Sequence, residues 1–88
     1  MSKIFMNKRE QEMTNGKWET TETESRYIDE VTYDQITRDS TVAFFKAIGG
    51  TERLYRKNGK VIKLISTNPD KTRRSVYEFD HNKAFFHR

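Results

Sequence analysis

His81 and His87 are the only imidazoles in the chain, and Asp80 stands beside the first, so acid–base or metal chemistry is sought there first. Their spacing of six fits neither a helical metal pair nor a Cys/His finger, and packed or exposed tail histidines explain them better. Ser40 and Ser66 lie in no G-x-S-x-G elbow, and their sequence neighbours include no histidine, so they read as a cap and a strand end. Gly49-Gly50-Thr51-Glu52-Arg53 lacks the G-x-x-x-x-G-K order of a phosphate loop and reads as the end of a helix. Asp29, Glu30 and Asp34 show none of the loop spacing of a divalent-ion site and read as a solvated acidic edge. These observations lead to the expectation of a chain with no catalytic residues, no metal and no cofactor.

A second group of residues suits binding. Arg53, Tyr55, Arg56, Lys57, Lys60 and Lys63 fall in one short stretch, followed by Lys71, Arg73 and Arg74. Lys and Arg neutralise phosphates with release of counterions, and an exposed Tyr stacks on an unpaired base. The same residue types anchor protein interfaces, which makes Tyr55, Arg56 and Trp18 the first anchors to test. Lys57, Lys60, Arg73 and Arg74 also have a use without any ligand, since cations on strand edges and hairpin tips discourage edge-to-edge aggregation. The leading expectation is a small non-enzymatic accessory module that binds a larger protein or a second copy of itself, as a homodimer through a strand edge. The alternative is a nucleic-acid-binding protein that uses a basic β-hairpin over residues 53–63 and the loop over 71–74.

The elements that would position these side chains are marked by turns. Asn15-Gly16 and Asn58-Gly59 tolerate the positive φ of a two-residue type I′ hairpin turn, so each is expected to join two antiparallel strands. Around Asn58-Gly59, simple pairing sets Lys57 against Lys60, Tyr55 against Ile62 and Arg53 against Leu64. The other face then carries Arg56 with Val61, Leu54 with Lys63 and Glu52 with Ile65, which leaves both faces mixed. A third strand is expected over residues 73–80, after the turn residues Asn68, Pro69 and Asp70. Ahead of this meander, Ser40 caps a helix expected over residues 41–48, with an apolar stripe of Val42, Phe44, Phe45 and Ile48 and a start as early as Tyr33 or Asp34. Tyr27, Asp29, Val31 and Tyr33 alternate as a half-buried strand would. Residues 3–13 are compatible with strand or with a helix capped by Ser2, and strand is preferred. In that hairpin Met13 meets Trp18, Arg9 meets Glu22 and Glu12 meets Glu19. The expected fold class is α+β: a small antiparallel β-sheet, made of a C-terminal three-stranded meander and an N-terminal hairpin, packed against one short helix.

At 88 residues the chain has length for one core, with 33% hydrophobic and 34% charged residues. Six Phe, four Tyr and one Trp must supply much of that core. A single domain over residues 1–88 is expected, with residues 1–3 and 85–88 frayed. Cysteine is absent, which excludes disulfide and thiolate chemistry and suits a reducing, cytoplasmic compartment. The apolar run Ile4-Phe5-Met6 is far too short for a signal peptide or a membrane span, so no membrane association is expected. The net charge of +4 is uneven: residues 1–35 hold 5 basic and 8 acidic side chains, residues 36–88 hold 12 and 5. Such a split marks an anionic partner or two segments that attract each other within the fold.

The order of a helix followed by three antiparallel strands, with a basic surface and a terminal His87-Arg88, resembles the RelE-type ribosome-dependent toxin nucleases over residues 34–88. That resemblance implies an RNA-cleaving enzyme as a remote alternative. No diagnostic residue set of the family transfers, and the acidic N-terminal stretch departs from its paired-helix start. In length, charge and absence of cysteine the chain is also similar to small accessory proteins encoded by bacterial viruses or mobile elements.

Overall fold

The computed structural model describes residues 3–38 and 48–82. These form strands β1 (Lys3–Thr14) and β2 (Lys17–Asp29), helix α1 (Glu30–Arg38), and strands β3 (Thr51–Lys57), β4 (Lys60–Thr67) and β5 (Arg73–Asp80). All five strands join one antiparallel sheet in the order β2-β1-β5-β4-β3. The fold is therefore α+β as expected, with the N-terminal hairpin laid against the last strand of the C-terminal meander. Residues 3–13 are strand.

Both Asn-Gly turns adopt the left-handed backbone that their residue types favour, with φ of 52° and 80° at Asn15 and Gly16 and 53° and 77° at Asn58 and Gly59. The loop between β4 and β5 is organised by Asn68, whose Oδ1 accepts from the backbone N–H of Thr72 (2.8 Å) and Arg73 (3.0 Å).

One face of the sheet carries the core. Ile4, Met6 and Ile28 from the first hairpin meet Leu64, Val61, Tyr77 and Phe79 from the meander and Ile36 from α1. Met6 and Leu64 are 2% and 1% exposed. The helix starts where Asp29 Oδ1 accepts the Thr32 N–H at 2.8 Å, an N-cap that also holds the Asp29 carboxyl below its ordinary range. It is fastened to the sheet by Tyr33, whose hydroxyl donates to the Val61 carbonyl (3.0 Å) and accepts from the Val61 N–H (2.8 Å). Burial raises the Tyr33 phenol above its usual pKa, and the Val61 hydrogen bond opposes that shift. The Tyr33 ring packs edge-on against Phe79 and His81.

Three local expectations are corrected, and a fourth lies mostly outside the described residues. The β3–β4 register holds at Lys57/Lys60 and Arg56/Val61, then slips, so that Tyr55 meets Lys63, Leu54 meets Leu64 and Arg53 meets Ile65. Ile62 is the extra residue of a bulge. By re-phasing β4 it turns Val61 and Leu64 to the same inner face, and the mixed faces of the simple register disappear. In the first hairpin Thr21 has no ladder partner, so Arg9 meets Thr23 and Glu10 meets Glu22, while Met13/Trp18 and Glu12/Glu19 pair as expected. The alternating stretch over residues 27–33 ceases to be strand at Asp29, and Val31 and Tyr33 lie in α1, because the capping carboxylate starts the helix there. The helix expected over residues 41–48 falls mainly on residues 39–47, including Val42, Phe44 and Phe45, which lie outside the described residues; Ile48 sits in a turn and is 50% exposed.

Candidate functional site: an aromatic and basic sheet face

The face of the sheet opposite α1 is built in rows that the ladder fixes. One row runs Ser25, Asn7, Glu78, Lys63, Tyr55; the next runs Thr23, Arg9, Val76, Ile65, Arg53; a third runs Thr20, Gln11, Arg74, Thr67, Thr51. Trp18, paired with Met13, stands at the head of this face. Apolar Val76 and Ile65 thus lie in the centre of a field of long polar side chains, with Val76 only 1% exposed.

Arg74 organises the field. Its guanidinium carbon lies 4.3 Å from the centroid of the Trp18 ring, and its Nε donates to Gln11 Oε1 at 2.6 Å. Gln11, 8% exposed, passes the link on by donating to Thr20 Oγ1 at 3.1 Å. Burial first, and the positive charge of Arg9 second, hold the Arg74 pKa below its ordinary value, while Tyr55 acts in the opposite sense. Arg9, Arg74 and Tyr55 therefore share one electrostatic neighbourhood. Arg9 is balanced by Glu78, with Nη2 and Oε1 at 2.7 Å, although its Nε is buried without a partner. Lys63 Nζ stands 5.8 Å from the centroid of Tyr55, which is 39% exposed.

Of the ten residues expected to bind, the fold brings Trp18, Arg53, Tyr55, Lys63 and Arg74 onto this face. Alternation from Tyr55 puts Lys57 at the hairpin end of the same face, Lys71 lies in the loop whose Thr72 carbonyl accepts from the Met13 N–H beside Trp18, and Arg56, paired with buried Val61, is turned to the inner face. Arg56, Lys57 and Lys60 crowd the Asn58-Gly59 tip, where Arg56 and Lys60 border a cleft against Tyr33, Asp34 and Thr37 of α1. Lys57 and Lys60 also border a cavity of about 680 Å³ that Phe5, Ile62, Asp80 and His81 help to line. Lys71 and Arg73 lie at the opposite end, beside the β4–β5 loop, and alternation turns Arg73 to the inner face with Glu12. The outward residues of the basic hairpin thus form part of a face drawn from all five strands.

Arg9 and Gln11 complete this face and were not singled out from sequence. Their two-residue spacing on β1 places them on one side of a strand, but only the pairing of β1 with β5, distant in sequence, shows which side. Of the residues weighed for chemistry, Ser40 and His87 lie outside the described residues. His81 Nε2 lies 3.0 Å from the Val61 carbonyl, a bond made by the Nε2–H tautomer. Ser66 is 3% exposed on β4. Asp29 caps α1 and Asp34 approaches Arg38 at 3.9 Å. Among the described residues no group of three or more His, Asp or Glu could hold a metal ion, and no helix is long and apolar enough to cross a membrane. Comparison with family models, with curated proteins and with solved structures gives no match.

Proposed function

We propose that the chain is a non-enzymatic binding module whose outer sheet face holds single-stranded nucleic acid. The reading is carried by the Arg74–Trp18 stack at 4.3 Å, beside Tyr55 and Lys63, on a face rich in cations. Arg9 has an ion-pair partner there; Arg53, Lys63 and Arg74 have none among the described residues. Cations without acids attract a polyanion, and ring faces on an open sheet accept unpaired bases irrespective of sequence. Trp, Tyr and Arg also dominate protein hot spots, so a larger protein partner would use the same anchors. The excess of unpaired cation over acid favours the polyanion. A cysteine-free chain of pI about 9.5 suits such a partner in a reducing, cytoplasmic setting.

The test is fluorescence anisotropy of labelled single-stranded DNA and RNA of about 12 nucleotides at two salt concentrations. Binding that weakens steeply with salt supports the reading. If neither strand binds at low salt, nucleic acid is removed as the ligand and a protein partner takes its place.

A further inference from the structure

The two outer strands of the sheet are treated differently by the sequence. β2 carries a bulge at Thr21, and the register shift there puts Glu19, Glu22 and Glu24 on one side of it. Two copies of that edge paired about its acidic stretch, at Glu22 or Thr23, would bring acid against acid, and bulges and charge are the usual devices that keep an edge strand unpaired. β3 has no such defect. It runs unbroken for seven residues, with five of them exposed and with Leu54 already packed on the core at its middle. Its own ladder irregularity is absorbed by Ile62 on β4.

The sequence of β3 is complementary to itself about Leu54. In an antiparallel two-fold pairing centred there, Leu54 meets Leu54, Arg53 meets Tyr55, Glu52 meets Arg56 and Thr51 meets Lys57, and each unequal pair occurs twice. No like charges stand opposite one another. Every neighbouring register that keeps the two faces matched fails this condition. Centring on Arg53 sets Arg53 against itself, centring on Tyr55 sets Arg53 against Lys57, and centring on Glu52 or Arg56 opposes identical charges.

We propose that β3 pairs with β3 of a second copy of this chain in the Leu54-centred register, giving a closed two-fold dimer with a continuous sheet of both copies. A two-fold of this kind keeps both outer faces on the same side. Arg53 and Tyr55 of the two copies therefore meet at the seam, and the two aromatic and basic faces merge into one. The pairing rests on the edge alone and does not require the nucleic-acid reading.

The experiment is sedimentation velocity at low salt over a concentration series reaching about 1 mM, with two opposite substitutions at exposed Thr51. Thr51→Lys places a lysine opposite Lys57 twice, and Thr51→Glu places a carboxylate there twice. From the usual strength of cross-strand charge pairs, the first weakens the dimer and the second tightens it, each by about two- to thirtyfold in Kd. Circular dichroism confirms that both variants remain folded. A chain that stays monomeric throughout overturns the proposal. So does a dimer whose Kd is unmoved by both substitutions, because its contact then lies elsewhere. Nucleic-acid binding moves differently, since Thr51→Lys adds a cation to the outer face and raises affinity there whether or not the chain dimerises.

Discussion

Replacing Arg74 by Met removes one cation from the outer face while keeping an unbranched stem beside Trp18. For single strands, log K falls against log salt by about 0.7 for each phosphate neutralised. Arg53, Lys63 and Arg74 are three cations at the middle and Trp18 end of this face without an acidic partner among the described residues. If each meets one phosphate, the slope is about −2.1, and raising salt from about 50 to about 200 mM weakens binding about 20-fold. The Arg74→Met chain should show a slope of about −1.4 and lose only about sevenfold over the same interval. Its affinity at the lower salt should fall about five- to tenfold, the equivalent of ~1 kcal/mol for a contact of this exposure. Stability should fall as well, because Gln11 Oε1 loses a 2.6 Å donor at a site 8% exposed. An acceptor left unmet there costs about 1–3 kcal/mol, so melting curves must establish that the variant is folded at the temperature of assay. Anisotropy of a labelled oligonucleotide is the suitable readout, since the substitution itself alters the surroundings of Trp18, the only tryptophan. Arg38→Met, on the helix that covers the opposite face, is the control and should leave the slope unchanged. Equal slopes for the two variants, or a flat salt dependence in the parent chain, would refute the placement of the ligand on this face.

Other consequences follow from the same geometry. Trp18→Ala should weaken oligonucleotide binding by about 1–3 kcal/mol if a base stacks there, with Trp18→Phe recovering most of the loss; equal weakening by both would argue against stacking. Tyr33→Phe leaves the Val61 N–H without its acceptor, while the Val61 carbonyl keeps His81. It should lower stability by about 1–3 kcal/mol, or some 4–8 °C of melting temperature for each kcal/mol in a domain of this size. The Tyr33 pKa is raised on folding, so its contribution is whole below pH 10.0 and is lost as pH rises above that value. Melting temperatures across that window should converge for the parent and the Phe variant. Asp29 has the opposite sign: its folded pKa is depressed, so its capping contribution is present above pH 3.8 and fades as pH falls below it. Asp29→Asn should keep α1 and flatten that pH dependence, which helical circular dichroism would detect. Deleting Ile62, which holds no ladder position and precedes the first β4–β5 pair at Lys63, should preserve the fold at a cost of about 1–2 kcal/mol; an unfolded product would show the bulge to be required.

What could be read from sequence was what local chemistry decides. Asn-Gly at 15–16 and at 58–59 has few alternatives to a type I′ turn, and residues 73–80 are bounded by turn formers on one side and rich in β-branched and aromatic residues. Those signals sufficed for two hairpins and a meander. They could not supply the bulges. In the simple register Leu54 stands beside Lys63, Arg53 beside Leu64 and Glu52 beside Ile65, so most rungs mix an apolar with a polar or charged side chain. One extra residue at Ile62 sets Leu54 against Leu64 and Tyr55 against Lys63, and burial of both leucines on one face is what selects it. The start of α1 shows a competition of the same kind. Alternation at Tyr27, Asp29, Val31 and Tyr33 favours strand, but an aspartate able to bond a backbone N–H three residues on ends it, and the helix then delivers Tyr33 to Val61.

The outer face was illegible for a different reason. Its two central ties, Arg9 to Glu78 and Arg74 to Gln11, join residues 69 and 63 positions apart. They exist only because β1, and not β2, lies against β5. The exposed β2 edge, with its bulge and its acids, is unsuited to a central place, whereas β1 offers Ile4 and Met6 to the inner face and Arg9 and Gln11 to the outer one. Burial of the first pair therefore chooses the strand that lies inside the sheet, and the second pair is carried onto the face opposite. The site is in this sense a by-product of core formation: whatever closes Met6 over Phe79 also brings Gln11 to Arg74 and sets Arg74 on Trp18. A substitution at Met6 that left the chain folded but loosened the β1–β5 ladder should therefore disturb Trp18 fluorescence, although Met6 lies on the inner face and Trp18 on the outer.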